Sequence, residues 1–121
     1  MIYESTVFNV LKPKSNKIIE KNVSKLSSIL KNKMMMRQIE CENIETTKIL
    51  LDFGADVNYH DSEGNTGLMI TSFIGNMELV KLLIKYGTDI NRKNVDGYTA
   101  LTFANENEHH DITEYLIKIK I

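Results

Sequence analysis

An all-α helical-repeat solenoid with short β-hairpin-like loops is the fold class that this chain of 121 residues predicts. Three observations lead there. From Glu42 onward the sequence maps onto itself under one fixed shift, the step that carries Asn43 onto Asn76. Each unit carries two short apolar stripes of helical period separated by turn residues. Helices this short cannot bury an apolar stripe in pairs, so the units must stack side by side into one continuous core.

The composition is that of a folded globular chain: 42% hydrophobic and 26% charged residues, with one Pro and six Gly, exclude disordered and fibrous classes. The length suits one folding unit. Cys41 is the single cysteine, so no internal disulfide can form, and a cytoplasmic, reducing setting is expected. The opening MIYESTVFNVLKPKSNK places Glu4 early and its lysines late, the reverse of a signal peptide. No apolar run approaches the roughly 18 residues of a membrane span. Residues 1–40 hold eight Lys/Arg against three Glu, a balance of +5, whereas 41–121 hold seven against thirteen, a balance of −6. A basic segment can mark nucleic-acid binding, but these lysines are interleaved with Asn and Ser, the pattern of a solvated face.

The units can be read element by element. The segment 42–60, ENIETTKILLDFGADVNYH, coincides with 75–93, GNMELVKLLIKYGTDINRK, at Asn43/Asn76, Glu45/Glu78, Lys48/Lys81, Leu50/Leu83, Gly54/Gly87, Asp56/Asp89 and Asn58/Asn91. The same shift pairs Gly64/Gly97, Thr66/Thr99 and Leu68/Leu101, then Leu83/Leu116, Ile84/Ile117 and Lys85/Lys118. Asp61 to Asn65 is turn chemistry, and Thr66 is a good N-cap for a helix from Gly67 to about Ile74. A second helix from about Asn76 to Tyr86 carries Met77, Val80, Leu83 and Ile84 on one face. Gly87 ends it as an αL cap, and Thr88 to Asn91 is expected to run on as an extended arm.

A first helix opened by Thr, a second helix ending Leu-Leu-x-x-x-Gly and a Gly-x-Asp-x-Asn return together resemble the ankyrin repeat, most closely in MELVKLLIKYGTDIN and LLDFGADVN. The resemblance implies an ankyrin-repeat stack with units at about 34–60, 61–93 and 94–121. The openings Thr66-Gly67-Leu68-Met69 and Thr99-Ala100-Leu101-Thr102 depart from the Thr-Pro-Leu-His of that family. Without the Pro and the His, thinner inter-repeat hydrogen bonding and modest stability are expected.

The ends are atypical. MMMRQIEC at 34–41 falls in the first-helix position, with Lys33 where the Thr belongs. Ahead of it Ile19, Val23, Leu26 and Leu30 recur at helical spacing, which predicts a helix over about 17–30 in the N-terminal segment 1–33. It is read as an N-terminal capping helix, or as the outer helix of a decayed repeat without its hairpin. At the other end Lys120 stands in the place of Gly87, and Lys118 and Lys120 suit a helix C-terminus; the final hairpin is absent, whether by natural capping or because the array is part of a longer one.

No catalytic, cofactor or metal site is expected. His109 and His110 are adjacent, so their side chains diverge on a helix, whereas paired His ligands stand at i and i+4. Cys41 has no basic partner in view and is expected to be a buried or half-exposed structural thiol. Phosphate-cradling loops, zinc spacings and Ser/His/Asp orders are absent from the sequence. Met34, Met35 and Met36 suit either the core or an adaptable binding surface, and helical geometry favours the core.

The resemblance implies a non-catalytic protein-protein interaction module that binds a partner protein through a concave groove and hairpin tips, with no small-molecule substrate and no membrane. By position the tips are Tyr59, His60, Ser62, Glu63 and Asn65, then Arg92, Lys93, Val95, Asp96 and Tyr98, and the first-helix groove residues are Phe73, Ile74, Glu106 and Asn107. Aromatic groups beside charges are the usual makeup of a binding hot spot. The alternatives are an effector, host-interaction or toxin-neutralising inhibitor protein, or a fragment of a longer array, classes in which short arrays of this kind recur. A lesser alternative is nucleic-acid binding by the basic N-terminal segment.

Overall fold

The computed structural model describes residues 16–120, with side chains from Glu20 onward. Lys12, Lys14 and Lys17 of the basic segment, the side chain of Ile19 and the opening MIYESTVFNVLKPKS therefore lie outside the described residues or side chains.

Seven helices are found among the described residues: α1 Asn16–Ser24, α2 Ser28–Glu40, α3 Ile44–Asp52, α4 Gly67–Ile74, α5 Met77–Lys85, α6 Ala100–Glu106 and α7 His110–Lys120. They form two rows. The inner row is α2, α4 and α6, and the outer row is α1, α3, α5 and α7, each helix packed on its neighbours in the row. The predicted solenoid is the observed architecture, and its β content among the described residues is a lone antiparallel bridge between His60 and Thr66.

Local chemistry sets the helix starts. The inner helices α4 and α6 begin at a Thr: the Thr66 hydroxyl accepts the Met69 N–H at 3.3 Å, and Thr99 forms a reciprocal capping box with Thr102. The outer helices α3 and α5 begin at an Asn: the side chains of Asn43 and Asn76 accept the N–H groups of Thr46 and Leu79. Such caps contribute about 1 kcal/mol each. Gly67 sits at the first helical position for a packing reason, since a Cβ there would stand 2.7 Å from Ile39 Cδ1.

Three expectations need correction. The helix expected over 17–30 is broken at Lys25–Ser27, where the Ser27 hydroxyl accepts the Leu30 N–H and starts α2. That helix consequently begins ahead of the repeat register, and its extra turns act on the next loop: Asn32 Oδ1 accepts the Asp56 N–H at 2.7 Å. One repeat further on, Asn58 Oδ1 accepts the Asp89 N–H at 2.7 Å. Asn32 thus occupies the position a preceding hairpin Asn would hold, while Val23 of α1 is fully buried.

Thr88–Asn91, expected as an extended arm, is closed by an Asx turn in which Asp89 accepts the Asn91 N–H, as Asp56 accepts that of Asn58. The third correction concerns Cys41, which is exposed. It forms the C-cap of α2, ahead of Glu42 at φ 58°, where the chain turns away from the core.

Met34, Met35 and Met36 are all buried. Three consecutive helical residues sweep about 200° of arc, so α2 is enclosed on most of its circumference, by α3 and α4. Leu50, Leu68, Leu83, Ile112 and Leu116 continue that core down the stack.

Candidate functional site

The hairpin tips are built by one residue position used twice. Asp61 Oδ1 accepts the N–H groups of Glu63 and Asn65, both at 2.9 Å. Asn94 Oδ1, at the equivalent position of the next repeat, accepts those of Asp96 at 3.0 Å and Tyr98 at 2.9 Å. These closed turns leave Ser62 and Glu63, then Val95 and Asp96, exposed. The tips are also bonded to each other, by Val95 N–H to the Glu63 carbonyl at 3.0 Å and by Asn94 Nδ2 to Asn65 Oδ1 at 2.9 Å. Side-chain amides of Asn thus supply inter-repeat bonding where the Thr-Pro-Leu-His openings are missing.

Two hollows lie between the tips and the inner helices. One, of about 270 Å³, is lined by Lys33, Met36, Glu40, Tyr59, Asp61 and Ile70. The other, of about 230 Å³, is lined by Asn65, Met69, Ile70, Phe73 and Phe103. A step of one repeat carries Met36, Glu40 and Ile70 onto Met69, Phe73 and Phe103, so the same inter-repeat hollow occurs twice. In the second, an aromatic ring has replaced the carboxylate.

That second hollow is apolar and edged by rings. Phe103 meets Phe73 edge-on, centroids 6.1 Å apart at 82°, and meets Tyr98 at 5.6 Å and 68°. Edge-to-face pairs contribute about 0.5–1.5 kcal/mol beyond burial, which holds the rings in place. Phe73 nonetheless leaves 55% of its surface in water, Tyr98 39% and Val95 71%. Exposed apolar groups gathered this way mark an interaction surface more strongly than the same groups scattered singly.

Of the residues singled out from sequence, Tyr59, Asn65 and Phe73 line these hollows, and Tyr98 and Val95 lie in the exposed apolar set. Glu106 lines a third hollow on the last unit with Leu101, Thr102 and Ile117. Ile74 is half-buried and lines neither inter-repeat hollow. Asn107 serves α6, its Nδ2 donating to the Phe103 carbonyl at 2.8 Å. His60 bonds the neighbouring Asp61 carbonyl, Arg92 is half-buried and Lys93 exposed. Sequence reasoning missed Met69, Ile70 and Phe103. The signal for them was helical: Ile70 stands three residues before Phe73 on one face, and Phe103 is the equivalent of Ile70 in the next unit.

Several ionisable groups elsewhere have structural contacts. The Lys48 ammonium lies 2.8 Å from Asp52, and the Tyr86 hydroxyl donates to the other oxygen of that carboxylate from the C-terminal end of the next outer helix. Hydrogen bonds from Lys48 and Tyr86 hold Asp52 below its ordinary pKa, and bonding to Asp52 raises those of Lys48 and Tyr86. In the basic segment, Lys31 donates to the Phe53 carbonyl at 2.8 Å. His109 is bonded to the Phe73 carbonyl. Among the described residues no helix is long and apolar enough to cross a membrane.

No match is found among curated proteins. A family model described as ankyrin repeats, in three copies, matches residues 35–121. Repeats of this kind generally serve as protein-protein interaction modules and are typically non-catalytic. With the fixed repeat period, the two rows of helices and that match in agreement, the chain belongs to the ankyrin-repeat family.

Proposed function

We propose that this protein binds a partner protein through the concave face between its hairpin tips and inner helices, with the hollow at Phe73 and Phe103 as the anchor point. The observation that carries the reading is the half-exposed Phe73 ring at the edge of an apolar hollow, 55% in water although its neighbours Met69 and Leu68 are buried. Its outward position adds little to the stack, and a partner's apolar side chain in the hollow would remove that surface from water at roughly 25 cal/mol per Å². The tips, bonded to one another through Val95 and Asn94, are preorganised, which lowers the ordering cost of association.

The test is affinity capture from lysate of the native cell by the wild-type chain and by a Phe73→Ala/Tyr98→Ala variant shown by circular dichroism to remain folded. Loss of a captured protein in the variant is the expected result. Equal capture by both forms would move the binding surface away from this hollow.

A further inference from the structure

The row that carries Phe73 has a charge pattern of its own. Glu40, Phe73 and Glu106 occupy one register in successive repeats, near the ends of α2, α4 and α6, and all three are exposed. The ring is therefore bracketed, one repeat to either side, by a carboxylate. A second acidic pair, Glu63 and Asp96, recurs on the tips. Among the described residues no ion pair engages Glu40, Asp96 or Glu106. Of the cations on the same elements, Arg37 already has a partner, Lys31 donates to the Phe53 carbonyl and Arg92 is half-buried, which leaves Lys33 and Lys93 exposed against these four exposed acids.

We infer that the segment this groove recognises is basic: an extended stretch laid across the repeats, with an apolar side chain against Phe73 and a Lys or Arg facing each of Glu40 and Glu106. The inference rests on the groove reading above and adds the chemistry of the partner. Adjacent inner helices pack about 8–10 Å apart. A polyproline II segment brings every third side chain back to the same edge after about 9.3 Å. The two spacings agree, so the cations stand about three residues before and after the apolar anchor. A β-strand offers no such match, because residues three apart point to opposite faces.

The experiment titrates the full ¹⁵N-labelled chain with three synthetic peptides. All carry a central Leu in a Pro/Ser background and differ only in having Lys, Ser or Glu three positions to each side. The Lys peptide is expected to give saturable shifts of the amide signals around Phe73 and Phe103. At low salt its affinity should exceed that of the Ser peptide about fivefold, the scale of two exposed ion pairs, and the advantage should shrink as salt is raised. In a Glu40→Gln/Glu106→Gln variant the Lys peptide should fall to the level of the Ser peptide, whereas Phe73→Ala should weaken both. Equal affinity of all three peptides with undiminished sensitivity to Phe73→Ala would overturn the basic partner and leave the groove reading intact. A Lys peptide that fails to saturate, or that binds equally well to Phe73→Ala, would overturn this inference; the lysate capture decides the groove separately.

Discussion

The Nε2 of His109 lies 3.0 Å from the carbonyl oxygen of Phe73, which pins the start of the last outer helix to the end of the inner helix one repeat before it. A carbonyl only accepts, so Nε2 carries the proton and donates. In the two earlier units the same position holds Asn43 and Asn76, which cap their own helices. His109 reaches backward instead, and its ring lies over Gly75, where a Cβ would collide with the imidazole. The backbone that presents Phe73 to the groove is thereby held by the following unit.

Gly75 and His109 should consequently be coupled in stability. Gly75 has φ +93°, and a side chain there carries a left-handed penalty of about 1–2 kcal/mol. The equivalent Glu42 and Glu108 already tolerate positive φ, so any excess cost of Gly75→Ala comes from displacing the imidazole. His109→Ala alone should cost about 1 kcal/mol through its lost hydrogen bond. In the His109→Ala background, Gly75→Ala should be milder by about 1 kcal/mol. Urea denaturation of the four proteins measures this, and strictly additive costs would show that the ring is not seated on Gly75.

Core and groove should separate cleanly under truncation. Met34 is fully buried, so Met34→Ala should lose about 2–5 kcal/mol of stability. Phe73 is 55% exposed, and Phe73→Ala should cost less than about 1.5 kcal/mol, mainly its edge-on contact with Phe103, while abolishing partner capture. Denaturation midpoints beside capture yields test both halves. A Phe73→Ala protein as unstable as Met34→Ala would make the ring a core residue.

The repeat architecture was legible because a fixed period shows every structural position two or three times. Thr66 with Thr99, and Gly54 with Gly87, identify themselves by recurrence. Features that break the period were not legible. Asn32 meets Asp56 across a separation of 24 positions, a spacing the repeat does not contain, and the break at Ser27 interrupts an apolar periodicity that reads as continuous. The turns that close the tips were legible because their chemistry is local. The groove floor was half-missed because adjacency in sequence pairs Phe73 with Ile74, whereas a helix turns about 100° per residue. The stripe that lines the hollow steps by three, from Ile70 to Phe73.

The stand-in role of Asn32 can be measured against that of Asn58. Each accepts one backbone N–H at 2.7 Å from an Asp at the same repeat position. Replacing either by Ala should cost on the order of 1 kcal/mol for the orphaned donor, with Asn32→Ala recovering a few tenths through better helix propensity. Hydrogen exchange gives the sharper readout. The Asp56 amide should lose protection in Asn32→Ala but not in Asn58→Ala, and the Asp89 amide should show the opposite. Unchanged exchange at Asp56 would remove the capping function from α2.

The Asp52 cluster makes stability depend on pH at both extremes. Asp52 is held below the ordinary 3.8 by hydrogen bonds from Lys48 and Tyr86, so its contribution is present above that value and lost as pH falls through the lower folded pKa. Lys48 and Tyr86 are raised above 10.5 and 10.0. Their contributions are complete below those values and lost as pH rises through the folded ones. All three groups are exposed or partly so, and solvent keeps the effect small. Asp52→Asn should therefore be slightly less stable than wild type across the neutral range, and the difference should shrink toward zero as the pH falls below that of the free carboxylate. A difference that persisted undiminished in acid would mean that Asp52 acts through packing or capping and not through its charge.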